Sequence, residues 1–249
     1  MPLPLAPRPP RFIRSHRKSI AAALLSVLLT IPGAPLRAQV TLTQSASQVI
    51  TDFHSVTCNL GGFTGDNSYF RTFTLSDFSL GAPFAISAVE LGIEVAAAGA
   101  GQGGVVPVEI NIYGNTTGTP GTFASLGSPL FSQMFSVVDQ VLSLQSFLTP
   151  ALVTTPGFTV EVRSPDLVSS GGVFIPGSNS AGETAPSYIA APACALSQPV
   201  TFASIGYPQT QLVMNVTGTT VPEPSTYALM AAGLAGTMIV ARRRRARVA

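Results

Sequence analysis

The chain has 249 residues, of which 46% are hydrophobic and only 10% charged, well below the roughly 25% charge of an ordinary globular protein. Its charge is segregated: six of the 13 cations precede residue 39, five follow residue 241, and Gln39–Thr220 holds two arginines against ten acids, a net of −8 without a single lysine. A body of that kind excludes nucleic-acid binding, which needs a basic face to displace counterions.

The first segment sets the compartment. Arg8, Arg11, Arg14, Arg17 and Lys18 precede IAAALLSVLLTI (Ile20–Ile31), twelve uncharged residues. A cationic stretch followed by roughly 7–15 apolar residues reads as a secretory signal peptide. Pro32-Gly33 breaks the helix and Ala38 supplies a small residue, so the expected leader is 1–38 with cleavage before Gln39. An uncleaved N-terminal anchor is the alternative. No twin-arginine pair precedes the apolar run, which points to general secretion. The two cysteines, Cys58 and Cys194, fall in the exported part. An even count in an oxidising compartment suggests a disulfide, with two buried thiols as the alternative.

From Gln39 to about Gly218 the sequence reads as short strands. In AVELGIEV (Ala88–Val95), Val89, Leu91, Ile93 and Val95 alternate with Glu90, Gly92 and Glu94. VEINIY sets Val108, Ile110 and Ile112 against Glu109, Asn111 and Tyr113. FTVEVR gives Phe158, Val160 and Val162 one face, and QLVMNVT gives one to Leu212, Met214 and Val216. Period-two alternation marks strands with one buried and one wet face. Further β-rich runs lie at Tyr69–Leu75, Phe131–Val138, Val141–Leu148 and Val173–Pro176. Glycine-, proline- and asparagine-rich turns separate them, and no helical period of useful length occurs between the termini. Eight to ten strands without βαβ alternation predict one antiparallel β-sandwich of the jelly-roll type over 39–220. Thirteen of the 14 phenylalanines fall there to fill its core.

This region is similar to a β-sandwich accessory module of secreted bacterial proteins. The resemblance rests on DNSYFRTFTLSDF (Asp66–Phe78), FAISAVELGIEVA, VEINIYG, GSNSAGETAPSYIAAPAC (Gly177–Cys194) and SIGYPQTQLVMNVTG. It implies a non-catalytic domain and supports a Cys58–Cys194 bridge.

Catalytic chemistry finds little support in the residues. His54 is the one histidine after the leader, and a histidine zinc site needs several partners at ligand spacing. No G-x-S-x-G elbow occurs. Glu90 and Glu94, four residues apart on a strand, stand roughly 13 Å apart, too far for a glycosidase pair, and read as a solvated face. Asp66 and Asn67 lack the acid spacing of a calcium loop and read as turn residues. No cofactor and no metal is expected, and the chain is expected not to be an enzyme; a secreted hydrolase acting on matrix polysaccharide is the alternative.

The C-terminus, VPEPSTYALMAAGLAGTMIVARRRRARVA, has three parts. Pro222 and Pro224 hold an extended peptide around Glu223. The uncharged run 227–241 would make a helix roughly 22 Å long, a marginal span of a bilayer core about 30 Å thick. Arg242, Arg243, Arg244 and Arg245 then form a stop at the cytoplasmic face. These residues resemble a PEP-CTERM sorting signal over 221–249, with Tyr227 where that family usually has tryptophan. The resemblance implies recognition of Pro222, Glu223 and Pro224 by an exosortase, a transient stay in the inner membrane, and delivery to the cell surface or the extracellular matrix of a Gram-negative bacterium. A structural or adhesive role in contact with exopolysaccharide is the expectation that follows.

Overall fold

The alternating runs become two antiparallel sheets around one core. A computed structural model describes residues 39–221 and 229–239; the expected leader 1–38, Pro222, Glu223, Pro224 and Arg242–Arg245 lie outside the described residues. The strands are β1 (Val40–Thr43), β2 (Asn59–Leu60), β3 (Phe63–Thr64), β4 (Asn67–Thr74), β5 (Phe84–Ala97), β6 (Val105–Asn115), β7 (Phe131–Val138), β8 (Gln140–Val153), β9 (Gly157–Ser164), β10 (Val173–Pro176), β11 (Ser178–Asn179), β12 (Tyr188–Ala191), β13 (Leu196–Thr201), β14 (Gln211–Leu212) and β15 (Met214–Thr220). One sheet runs β1-β15-β5-β8, with β10 taking over the β15 side of β5 further along. The other runs β13-β12-β4-β9-β6-β7.

Both sheets turn the residues of their apolar period inward. Leu42, Val89, Leu91, Ile93, Phe147, Met214 and Val216 of the first sheet share a core with Phe73, Val108, Ile110, Ile112, Phe158, Val160 and Val162 of the second. Phe158 stacks on Phe73 at 5.1 Å and on Phe84 at 6.3 Å, linking the two layers with aromatic contacts of favourable spacing.

Three sequence expectations need correction. Val95 was expected on the buried face with Ile93, but it is only half-buried, and Ala96 takes the core position. The cause is a register shift opposite Ile175/Pro176, where β5 carries one extra residue and its inward set changes phase. Val213 and Asn215 were expected on a wet face and are both buried, because residues 44–55 lie over that part of the first sheet. Glu94, expected to be solvated, is 3% exposed beneath the same segment. The run Val141–Leu148 also extends to Val153 as β8.

Gly92 shows why that strand has no side chain at its middle. Its N–H donates to the carbonyl of Val213, and its carbonyl accepts from Gly177 N–H, at the point where β5 exchanges β15 for β10. A Cβ there would meet Val213, Gly177 and Ile50 at 3.0–3.2 Å. Glycine within a strand marks such close backbone approach.

Candidate functional site

The sorting segment begins where the sandwich ends. β15 is held by β1 as far as Gly218 and by β5 up to Thr220 against Phe84. Val221 N–H then donates to Pro83 O at 2.9 Å, the last described backbone bond before Pro222. Helix 229–239 follows, about 16 Å long at 1.5 Å per residue, with Leu229, Met230, Leu234, Met238 and Ile239 exposed. A Cβ at Gly233 or Gly236 would meet nothing within 4 Å, so both leave the helix surface open. No helix among the described residues is long and apolar enough to cross a membrane. The expected span 227–241 is therefore described only over its middle eleven residues.

The other residues singled out in the sequence have structural partners. Cys58 and Cys194 are bonded, their Cα atoms 5.9 Å apart and 136 residues apart in sequence. Glu94 accepts from the backbone N–H groups of Phe53, His54 and Ser55 at 3.0–3.3 Å, fixing the covering segment. Glu90 accepts from Asn215 Nδ2 at 2.8 Å, so the two glutamates serve different neighbours. His54 Nδ1 lies 3.3 Å from Ser178 Oγ. Asn67 binds Cys58 and Gly65 backbone and the Thr57 hydroxyl, closing the β2–β3 turn. Asn115 and Asn215 are buried and hydrogen-bonded. Among the described residues no group of three or more His, Cys, Asp or Glu side chains is placed to hold a metal.

Arg71 is the largest buried side chain. It donates to Glu183 at 2.8 Å, to Leu212 O at 2.7 Å and to Gln44 Oε1 at 3.2 Å. Burial lowers its pKa to about 10, with Glu183 acting against that shift. This ion pair joins β4 to the 176–187 loop and belongs to the scaffold.

A groove of about 450 Å³ lies on the outer face of the second sheet. Register builds its floor: Glu109 faces Arg163 and Asn111 faces Glu161 across β6–β9, while Ser68 faces Arg163 across β4–β9. Arg163 binds both oxygens of Asp66 at 2.9 Å and Glu109 at 3.2 Å, and those hydrogen bonds raise its pKa. Glu161 Oε2 accepts from Tyr113 O–H at 2.8 Å and Asn111 Nδ2 at 3.1 Å. Burial first, then the charge of Glu161, pushes the Tyr113 phenol above its ordinary value, so it remains a donor. Phe123, on the one-turn helix Phe123–Leu126, packs edge-on against Phe70 at 5.8 Å and forms a wall with Pro129 and Pro192.

The sequence pattern assigned Glu109, Asn111, Tyr113, Glu161 and Arg163 to polar strand faces but did not pair them. The pairing of β6 with β9, 50 residues apart, is what gathers them. Ser68 and Phe123 gave no periodic signal.

Residues 220–245 match the PEP-CTERM protein-sorting motif. The chain carries a PEP-CTERM sorting signal. The match opens on Thr220, the last residue of β15, and takes in Pro222, Glu223, Pro224 and Arg242–Arg245. The PEP-CTERM signal marks an exported protein that an exosortase processes. No curated protein and no solved structure matches the chain.

Proposed function

We propose that this is a non-enzymatic structural or adhesive protein of the extracellular polymer matrix, delivered there as a folded jelly-roll sandwich. The order β1-β15-β5-β8 on one sheet and β4-β9-β6-β7 on the other supports the jelly-roll reading. In chain order every connection within this set crosses between sheets except β6–β7, the pattern of interlocked Greek keys. β10 to β14 are an insertion before the last strand.

The observation that carries the functional reading is the position of the motif match, beginning at the residue where the final strand stops. Two prolines follow in the sequence and flank Glu223, and proline neither donates to a strand ladder nor continues a helix. The apolar run keeps this peptide at the membrane surface, and Arg242–Arg245 hold the far end on the cytoplasmic side. An exosortase that recognises Pro222, Glu223 and Pro224 then separates the sandwich from the membrane segment. β15, paired with β1 as far as Gly218 and with β5 as far as Thr220, keeps the sandwich closed up to the start of the motif. An acidic surface without lysine suits a protein that stays soluble among polymers, and contact with exopolysaccharide is its proposed work.

Replacing Pro222-Glu223-Pro224 by three alanines in the native host tests the reading. Retention of the full-mass protein in the inner membrane is expected. Unchanged mass and unchanged location would overturn it.

A further inference from the structure

We infer that the groove on the outer face of the second sheet is a binding site for a neutral polyhydroxylated ligand, a short stretch of saccharide chain. The inference deepens the matrix reading above and rests on it.

Three polar groups on the groove are more than nine-tenths buried and incompletely bonded. Glu161, 3% exposed, has Oε2 held by two donors while Oε1 has no partner among the described residues. Asn111, 6% exposed, spends its amide N–H on Glu161 and leaves Oδ1 unmatched. Ser68, 5% exposed, has a hydroxyl without a side-chain or backbone partner among the described residues. Among the described residues, the unpartnered polar atoms that are sealed from solvent lie elsewhere, on Tyr69, Arg71, Thr149 and Asn215. The three groove atoms instead open to the groove, on side chains that the surrounding structure holds in place. Glu94 on the first sheet is the internal standard: equally buried, it has both oxygens occupied by backbone N–H groups. The groove atoms are oriented by the fold and not consumed by it.

The chemistry of the lining selects the ligand. Asp66, Glu109 and Glu161 against the single Arg163 make the groove net negative, which repels phosphates, uronates and nucleic acid. Asp66 and Glu109 are already bonded to Arg163, which leaves too few free carboxylate oxygens for a divalent cation. A hydroxyl group both donates and accepts. Ligand hydroxyls therefore satisfy Glu161 Oε1 and Asn111 Oδ1 as donors and Ser68 Oγ as either. The Phe123 ring, 37% exposed, with Pro129 and Pro192, offers an apolar wall for the C–H face of a sugar ring. A volume of about 450 Å³ falls in the range of roughly 300–1,000 Å³ of small-ligand sites.

The test is calorimetric titration of the full-length protein in a detergent without a sugar headgroup. The probes are cellohexaose, xylohexaose, maltohexaose and mannohexaose, with hexagalacturonate, spermidine and calcium chloride as charged counterparts, and the exopolysaccharide of the native host. Saturable binding of at least one neutral oligosaccharide is expected, without binding of hexagalacturonate. Phe123→Ala should weaken it about tenfold or more, and Glu161→Gln and Ser68→Ala about three- to tenfold each. Glu90→Gln on the opposite sheet should leave it unchanged. Ser68→Ala removes one oxygen and no packing, so it remains readable if Phe123→Ala disturbs the fold. Binding that survives all three groove substitutions would overturn the site while leaving the matrix reading intact. Wild-type protein that binds neither the neutral hexamers nor the host polysaccharide would sink both. Binding of spermidine or calcium in place of the oligosaccharides would overturn the saccharide assignment in favour of a cation.

Discussion

The outer faces of the two sheets treat a buried glutamate in opposite ways. On the first sheet, residues 44–55 fold over the strands and hand three backbone N–H groups to Glu94. On the second sheet, Tyr113 and Asn111 position Glu161 by one oxygen and leave the other facing a groove. The first arrangement stabilises a covering segment; the second spends protein donors on orienting an acceptor that the protein itself does not use. Burial does not distinguish the two glutamates; the number of carboxylate oxygens that the protein itself bonds does.

The closed face can be broken in stages. The Cys58–Cys194 bond ends the covering segment and closes a separation of 136 residues. Replacing both cysteines by serine should cost about 4–5 kcal/mol by loop entropy, read as a drop in the urea midpoint with a steeper slope, because the unlinked denatured chain exposes more surface. Arg71→Met leaves Glu183 without its cation, and the loss of one partner from a buried pair should cost about 3–5 kcal/mol.

The two glutamates give the direct contrast. Glu94→Gln sets an amide N–H₂ against backbone donors and should cost about 1–3 kcal/mol. Glu161→Gln keeps an acceptor for Tyr113 and Asn111 and should cost under about 1 kcal/mol, its main effect falling on ligand binding. Equal destabilisation by the two would erase the distinction between the faces.

The smallest effect concerns Tyr69, fully buried with a hydroxyl lacking a partner. Tyr69→Phe should be neutral to about 1 kcal/mol stabilising at pH 7. Burial raises the folded-state pKa of Tyr69, and of Tyr113, above the ordinary value of about 10. The unfolded chain therefore releases these protons first. Stability should be unaffected below about pH 10 and fall as pH rises beyond it, and Tyr69→Phe should flatten that alkaline decline.

The alternating strands β6, β9 and β15 were legible because their inner faces follow a strict period of two. β12 was not: Tyr188–Ala191 is buried on both faces, which removes the alternation. The phase change in β5 was also hidden, since a bulge is set by the partner strand. The wet face that became covered at Val213 and Asn215 depends on a segment some 165 residues earlier, a relation no local pattern carries. The sorting segment was legible for the opposite reason, because its information is local: two prolines around an acid, an apolar run and a block of arginines in fixed order. The groove stood between these cases, its polar residues visible strand by strand and their convergence invisible without register.

Delivery of the sandwich outside the cell depends most on processing at the C-terminal signal. Intact-mass measurement of the mature protein recovered from outside the cells of the native host tests this directly. The mass should correspond to a chain that begins near Gln39, ends close to Pro222–Pro224, and lacks helix 229–239 and the arginine block. A protein that keeps its sequence through Ala249 and remains in the inner membrane of a host possessing an exosortase would contradict the account.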